Sequence, residues 1–230
     1  MRMARALDER VRLSSPVRSL RQTNGSVEIA ADGVKLRAQR VVMATPPAVA
    51  ARIDFDPALP GAQANLLRRY LPGVVIKTIL SYDEPFWRGQ GLTGETGAPV
   101  PITIGQSPRS ASPGVLTSFA IGPKALRLAA LSPEDRRQAW LDELAKRLGP
   151  RARRPSAYLE TDWSAEPWSL GGMIGHLPPG VLTSYGPAIR QPAGHVHWAA
   201  SEWATTMHGL MEGAVRSGER TADTVLETLG

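Results

Sequence analysis

The end of the chain constrains the fold most, because a short strand pattern passes directly into a long helical one. His195–Ala200 predicts a β-strand, and Gly209 and Gly213 follow close behind it. Apolar residues then recur at helical spacing: Met207, Leu210, Met211, Ala214, Val215, Gly218, Ala222, Val225, Leu226 and Leu229. Such a junction leaves free backbone N–H groups, and open α/β sheets bind ligands there. The alternative is an amphipathic helix that only packs on a sheet.

Earlier segments complete an α/β pattern. Arg5–Val11 predicts the end of a helix running into a strand, and Val27–Leu36 alternates around an Asp-Gly pair, which predicts a β-hairpin. Val41–Ala44 is continuously apolar, which favours a short strand buried on both faces. We therefore predict a mixed α/β (α+β) fold.

The middle of the chain predicts a second group of elements. Val74–Tyr82 predicts a strand, and Ser132–Asp135 opens a helix with a hydroxyl cap, a proline and two carboxylates. Trp140, Leu141, Leu144 and Leu148 give this helix one apolar stripe. By contrast, Pro85–Pro123 is rich in Gly, Pro, Ser and Thr and predicts irregular strands and loops.

Composition narrows the classes of function. The formal charge is +6, but the basic residues are scattered, so we expect no nucleic-acid partner. The chain has no cysteine, which fits a reducing compartment, and the cytoplasm is the expected location. No stretch approaches the roughly 18 apolar residues that span a bilayer, so we expect no membrane association. His195 and His197 would share one face of a strand, yet without a nearby carboxylate pair we expect no metal.

Several segments occur in the same order as in flavin monoamine oxidases, and the chain resembles the C-terminal part of that family. They are Glu9–Leu13, Pro16-Val17, Val41–Pro47, Ile53–Pro57, Leu59-Pro60, Val75–Lys77, Glu84–Trp87, Leu177–Gly180, Ser201-Glu202, Met211–Val215 and Ser217–Arg220. The resemblance implies a two-lobed FAD-dependent oxidoreductase fold. Residues 1–66 and 169–230 would belong to the FAD-binding lobe, and 67–168 would form a mixed-sheet substrate-binding lobe.

The same resemblance implies oxidation of an amine to an imine, with dioxygen as acceptor and release of hydrogen peroxide. The flavin neighbours would be Val17, through its backbone, and residues of the last block: Glu202, Gly209, Leu210, Met211 and Glu212. A helix start with glycines suits the anionic and electron-accepting groups of a flavin. Taken without the motif around it, Glu202 would be a surface carboxylate at a strand end.

Lys77 interrupts the apolar run Val74–Leu80. A lysine in a strand usually faces solvent or marks an edge. By resemblance, Lys77 matches the catalytic lysine that holds a water against the flavin and assists reoxidation by dioxygen. An ammonium beside a reduced flavin would stabilise negative charge.

The chain departs from the family at the substrate pocket. Where family members with covalent flavin have Gly-Gly-Cys-Tyr, this chain has Gly171-Gly172-Met173-Ile174, so any FAD is bound noncovalently. The two tyrosines of the amine-binding aromatic cage are replaced by Ile174 and Leu210. These two residues, Met173 and Trp163 are our predicted pocket residues, although Trp163 is equally expected in the core. His208 replaces a small polar residue of the family, with no role assigned.

The family's dinucleotide fingerprint requires a strand, a Gly-x-Gly-x-x-Gly turn and a helix. Gly91, Gly94 and Gly97 follow no buried strand and open no helix, so we assign them to a loop. We therefore expect the N-terminal Rossmann unit to be missing, with a separate N-terminal FAD-binding polypeptide as a possible partner. The alternative function is a catalytically inactive fragment or an interaction module of the same fold.

Overall fold

The computed structural model describes residues 2–97, 101–110 and 112–230, which form two compact units. Unit 1 comprises Met1–Leu71 and His176–Gly230, and unit 2 comprises Pro72–Gly175. The sequence placed these boundaries at 66/67 and 168/169. They fall later because Leu71 pairs with His176 in an antiparallel bridge that belongs to unit 1. The FAD-binding and substrate-binding roles of the units remain predictions.

Unit 1 combines a small mixed sheet, a parallel strand pair and helices. Its strands are β1 (Val17–Thr23), β2 (Ser26–Ala31), β3 (Val34–Ala38), β4 (Val41–Met43), β5 (Asp54–Asp56) and β10 (Val196–Trp198). Its helices are α1 (Arg2–Leu7), α2 (Pro47–Ala50), α3 (Gly61–Arg69), α6 (Val181–Tyr185) and α7 (Met211–Leu229).

The predicted hairpin is confirmed in the four-stranded sheet, whose order is β3-β2-β1-β5. β2 and β3 pair antiparallel from Val27 with Ala38 to Ala31 with Val34, and Gly33 turns between them with φ 74°. The first helix ends in a 3-10 turn at Asp8–Arg10, and β1 begins only at Val17, so the helix does not run directly into a strand.

β4 and β10 pair in parallel, with Val41 opposite Val196 and Met43 opposite Trp198. The strand at β10 is confirmed but shorter than His195–Ala200. The prediction that β4 is buried on both faces is wrong, because Val42 is 44% exposed while Met43 lies in the core. Among the described residues β4 pairs only with β10, so one edge and one face lack neighbours.

The helix α7 is confirmed, but its buried face is not the apolar stripe. The buried residues are Gly213, Ser217 and Thr221, whereas Val215 is 56% and Leu226 65% exposed. Their small side chains let the helix approach its neighbours closely, and Thr221 Oγ1 donates to the Trp198 carbonyl at 2.8 Å. Close approach therefore decides which face of α7 packs.

Unit 2 is a four-stranded antiparallel sheet covered on one face by two helices. The sheet order is β7-β8-β6-β9, and the elements are β6 (Val75–Tyr82), β7 (Ile102–Gly105), β8 (Gly114–Ile121), β9 (Ala157–Asp162), α4 (Pro123–Ala129) and α5 (Pro133–Leu148). The predicted start of α5 is confirmed, since Ser132 Oγ accepts from the Asp135 N–H at 3.1 Å. Trp140, Leu141, Leu144 and Leu148 are buried, as the stripe predicted.

The region Pro85–Pro123 contains more regular structure than predicted, and parts of it lie outside the described residues. β8 is an eight-residue strand at the centre of the sheet. The glycine loop is confirmed: Gly91, Gly94 and Gly97 follow the 3-10 helix Phe86–Gln90 and open no helix. Gly89, Gly91 and Gly94 do have the spacing of the dinucleotide fingerprint, which sequence reasoning missed, but Gly89 lies within that 3-10 helix. The spacing alone therefore carries no nucleotide site here.

Two searches of the described residues were negative. None of the helices found in 2–97, 101–110 and 112–230 has the length and apolar character needed to cross a membrane. The same residues contain no group of three or more histidine or acidic side chains arranged to hold a metal ion.

Candidate functional site

The junction between β10 and α7 is the first candidate site, and it lies in unit 1. After β10 the chain makes a 3-10 turn at Ser201–Trp203 and reaches α7 through Leu210, the N-cap residue. Leu210 makes no side-chain cap to the helix, and both Leu210 and Met211 are exposed. The first N–H groups of a 19-residue helix therefore meet solvent or a ligand without a competing cap.

The turn before α7 has an uncommon backbone. Met207 has φ 53° and Gly209 has φ 76°. The Gly209 N–H donates to the Ser201 carbonyl at 3.2 Å, and the Leu210 N–H donates to the Met207 carbonyl at 3.1 Å. A side chain at Gly213 would collide with the Met207 carbonyl oxygen. The predicted glycines thus serve a close approach of the turn to the helix.

Glu202 lies half-buried at the same junction. Its Oε2 accepts a hydrogen bond from Ser201 Oγ at 2.8 Å. Tyr70 directly follows α3 and is buried, and this burial raises the pKa of its phenol. The charge of Glu202 raises that pKa further. Tyr70, 132 residues before Glu202 in the chain, is a neighbour that sequence reasoning missed.

α7 is held at the junction by hydrogen bonds to backbone carbonyls. Arg220 Nη2 donates to the Trp203 carbonyl at 2.9 Å, in addition to the Thr221 bond. On β10, His197 is buried and its Nε2 has no partner among the described residues. Burial, with Arg40 and His195 nearby, lowers the pKa of His197. His197 is therefore a neutral core histidine at neutral pH.

Val17, the remaining predicted flavin neighbour, begins β1 in unit 1. It pairs with Ala31, and the register shifts between Val17 and Ser19. The adjacent Arg18 forms an ion pair with Asp32 at 2.6 Å, and its hydrogen bond lowers the pKa of that carboxyl. The irregular register exposes backbone at this point, in keeping with a backbone contact.

Lys77 belongs to a second candidate site, in unit 2. It lies on β6 opposite Phe119 of β8, and its Nζ is 5.8 Å from the centroid of the Phe119 ring. Ile76, Thr78 and Leu80 point to the buried side, so Lys77 points to the sheet face that α4 and α5 do not cover. Of the two usual settings of a strand lysine, the sheet edge does not apply to Lys77, because β6 is an inner strand.

Apolar side chains surround Lys77 on this face. They are 37–65% exposed and come from three strands: Ile79 on β6, Ile102 and Ile104 on β7, and Leu159 on β9. We call these four residues with Lys77 and Phe119 the open sheet face. Sequence reasoning missed it, because apolar residues alternate only in β7, as Ile102 and Ile104 around Thr103, and not in β6 or β9.

Trp163, Met173 and Ile174 also lie in unit 2, beside the start of β6. The Trp163 N–H donates to the Val75 carbonyl at 3.1 Å, and a side chain at Gly172 would meet both Val75 and Trp163. Met173 has φ 60°, a strained conformation for a side chain of this kind, and is 58% exposed. Leu210, the fourth predicted pocket residue, belongs to unit 1.

The sequence and the fold match known proteins. The description "Flavin containing amine oxidoreductase" fits residues 1–226. The chain belongs to this family. It is 34% identical over 99% of its length to an L-amino acid dehydrogenase of Synechocystis, and 37% identical over 97% to the flavin-containing amine oxidase B of Sus scrofa. It spans 49% and 44% of those two proteins, about half their length.

Solved structures of the family agree with the fold. Cyclohexylamine oxidase from Brevibacterium oxydans superimposes with a TM-score of 0.94 at 35% identity, covering 99% of this chain and 51% of the oxidase. A putrescine oxidase bound to putrescine gives 0.93 at 35% identity, covering 98% of this chain and 51% of that protein. The mixed α/β fold of an FAD-dependent amine oxidase is thereby confirmed for this part of the protein.

FAD is the cofactor that family membership implies, and the residues of unit 1 fit one side of it. The α7 junction offers N–H groups without a side-chain cap. Such donors suit the electron-accepting edge of a flavin ring. The described residues contain no strand–glycine turn–helix unit for the ADP part, so they fit the cofactor on this side alone.

Proposed function

We propose that this chain is the C-terminal part of an FAD-dependent amine oxidase that converts an amine to an imine, with dioxygen as acceptor and hydrogen peroxide as product. The observation that carries the proposal is the family match over residues 1–226, combined with the uncapped start of α7. When bound, FAD would supply the two-electron acceptor. Binding is noncovalent, because Met173 has no thiol for a covalent bond.

In unit 1, the residues around α7 would hold FAD. The N–H groups of Met211 and Glu212 would face the flavin, and Leu210 would contact it from the N-cap position. Ser201 Oγ donates to Oε2 of Glu202. Oε1 of Glu202 would therefore accept hydrogen bonds from cofactor hydroxyls. Val17 would contribute backbone contacts to the adenosine part.

In unit 2, the open sheet face would take the body of the substrate. The exposed isoleucines and Leu159 offer an aliphatic surface, and Lys77 is a fixed positive charge within it. A lysine at this position would hold a water and would stabilise negative charge on the reduced cofactor. The aliphatic side chains of the open sheet face favour amines with an apolar body.

Unit 1 would complete its FAD site with a complementary half that carries the dinucleotide fingerprint. β4 has an edge without a strand partner among the described residues, and α7 of the same unit has an exposed apolar stripe. An added parallel strand on β4 and a helix on α7 would cover both. The cytoplasm is the proposed location.

The first experiment is a visible absorbance spectrum with added FAD. It is recorded for the purified chain alone, and for the chain coexpressed with the half of the cyclohexylamine oxidase that this chain does not match. We expect weak or no binding by the chain alone and stoichiometric, releasable flavin in the complemented sample. Amine-dependent bleaching should follow. Flavin-free protein under both conditions would overturn the proposal and favour the alternative, a catalytically inactive fragment or interaction module.

A variant pair tests whether the exposed apolar stripe of α7 receives the complementary half. Val215→Gln with Leu226→Gln places polar groups in the exposed stripe, and should prevent complementation. Glu227→Gln, on the polar side of the same helix, is the control and should leave it intact. Equal FAD retention by both variants would rule out α7 as the surface that receives the complementary half.

Lys77 is tested in the complemented enzyme. Lys77→Met removes the charge but keeps an unbranched side chain, so reduction by amine under anaerobic conditions should persist while reoxidation by dioxygen slows by about 10-fold or more. Stopped-flow absorbance separates the two half-reactions. Unchanged reoxidation would remove Lys77 from the oxidative step.

A further inference from the structure

A contact between Tyr70 and His208 joins two distant parts of unit 1 at the α7 junction. The Tyr70 hydroxyl and His208 Nε2 are 2.8 Å apart, and the rings stack at 24° with centroids 6.5 Å apart. The two residues are 138 positions apart in the chain. This contact ties the turn before α7 to the end of α3.

Tyr70 is the fixed side of the contact. It is 3% exposed, and its backbone N–H donates to the Leu66 carbonyl at 2.9 Å, which closes the last turn of α3. Burial and the charge of Glu202 raise the pKa of the phenol. The hydroxyl therefore keeps its proton at neutral pH, and it can donate to Nε2 or accept from it, depending on the histidine tautomer.

His208 is the movable side. It is exposed, and it sits between Met207 and Gly209, both of which have left-handed backbone. A non-glycine residue in that region is costly unless the surroundings hold it. An exposed ring gains little from burial, so the main effect of the contact is to orient the turn. The conformation of this turn sets the direction of Leu210 and of the first N–H groups of α7.

We propose that Tyr70 and His208 form a clasp that fixes the Met207–Leu210 turn and so positions the start of α7 against the flavin. The inference rests on the proposed function, since it assumes that FAD contacts this junction. His208 is a positioning residue, because it acts through the backbone of Leu210 and Met211. The clasp is a feature of this chain, since a small polar side chain in place of His208 could not reach Tyr70.

Two measurements test the clasp. Hydrogen exchange at the Gly209 and Leu210 amides of the chain alone reports whether the turn is held. The dissociation constant of FAD in the complemented enzyme, from flavin fluorescence, and the visible circular dichroism of bound FAD report its effect on the cofactor. The variants are Tyr70→Phe, His208→Ala and the double variant, with Thr206→Ala as a control in the same turn.

We expect each single variant to speed exchange and to weaken FAD binding about five- to tenfold, the size of one lost hydrogen bond. The double variant should add little, because both changes break one interaction. His208→Gln, which keeps a hydrogen-bonding group at a similar reach, should restore much of the affinity and of the dichroism band.

Other results would overturn the clasp. Unchanged exchange in Tyr70→Phe and His208→Ala means that the contact does not hold the turn. Faster exchange with unchanged FAD affinity and dichroism means that it is purely structural. If the complemented wild type binds no FAD, the proposed function fails and the positioning role fails with it, and exchange in the chain alone still separates that result from a clasp that does not form.

Discussion

The two units differ in the kind of apolar surface that they leave exposed. Unit 2 is one continuous stretch, and α4 and α5 close its core over one sheet face, with Trp140, Leu144 and Leu148 inside. Unit 1 is built from two separate stretches, and it leaves the stripe of α7 and one face of β4 exposed. Its own core lies elsewhere, around Trp198 and Trp203.

This difference shows which exposed surface lacks its usual cover. Antiparallel strands with covering helices can be stable with one face exposed, whereas parallel strands are normally covered on both faces. A two-stranded parallel pair such as β4 and β10 is therefore the part of the protein that most needs further neighbours.

The largest expected effect lies in the closed core of unit 2. Leu144 is 0% exposed on α5, and Leu144→Ala should lower the free energy of unfolding by about 2–5 kcal/mol through the cavity it leaves. Leu126→Ala on α4 is the matched control, since Leu126 is 58% exposed, and should cost less than about 1 kcal/mol. Urea unfolding followed by intrinsic fluorescence measures both. Equal losses would mean that Leu144 does not lie in a closed core.

A second test concerns how tightly α7 packs in unit 1. Gly213→Ala places a methyl group against the Met207 carbonyl, and should destabilise the protein by about 1–3 kcal/mol despite the better helix propensity of alanine. Gly218→Ala meets no atom within 4 Å, and should stabilise the same helix by up to about 1 kcal/mol. Thermal unfolding compares them. Stabilisation by both substitutions would show that the Gly213 contact is not tight.

The third test uses pH, and we expect a smaller effect because one group is responsible. The pKa of His197 is lowered in the folded chain, by burial first and then by Arg40 and His195, so the unfolded chain takes up the proton more readily. The associated stability is full above the ordinary histidine pKa of about 6.5, and is lost as pH falls through the folded value. Unfolding in urea between pH 8 and 5 should show a steeper loss for the wild type than for His197→Phe. Parallel curves would contradict a buried neutral His197.

The smallest expected effect tests the exposed stripe directly. Val215→Gln with Leu226→Gln should change the free energy of unfolding of the chain alone by less than about 0.5 kcal/mol, because both side chains are more than half exposed. The same substitutions should block complementation. A large loss of stability in the chain alone would show that the stripe is already packed, and would remove the contrast between the units.

Local patterns predicted much of the candidate site, but not its neighbours. The β10–α7 junction followed from the change of periodicity, and the start of α5 from its cap residues. The open sheet face required knowing that the sheet order is β7-β8-β6-β9. Ile102 and Leu159 are too far from Lys77 in the chain for any pattern to relate them. No local pattern could relate Tyr70 to His208 either, since only folding brings the end of α3 to the turn before α7.

The sequence by itself determined the α/β class, the hairpin, the cap of α5 and the family, because periodicity, turn residues and motif order are local properties or sums of local properties. Tertiary structure alone decided which face of α7 is buried. An apolar stripe indicates a face that can be buried, but Gly213, Ser217 and Thr221 allow the backbones to come close, and that approach determined the packing. The apolar stripe is consequently left exposed.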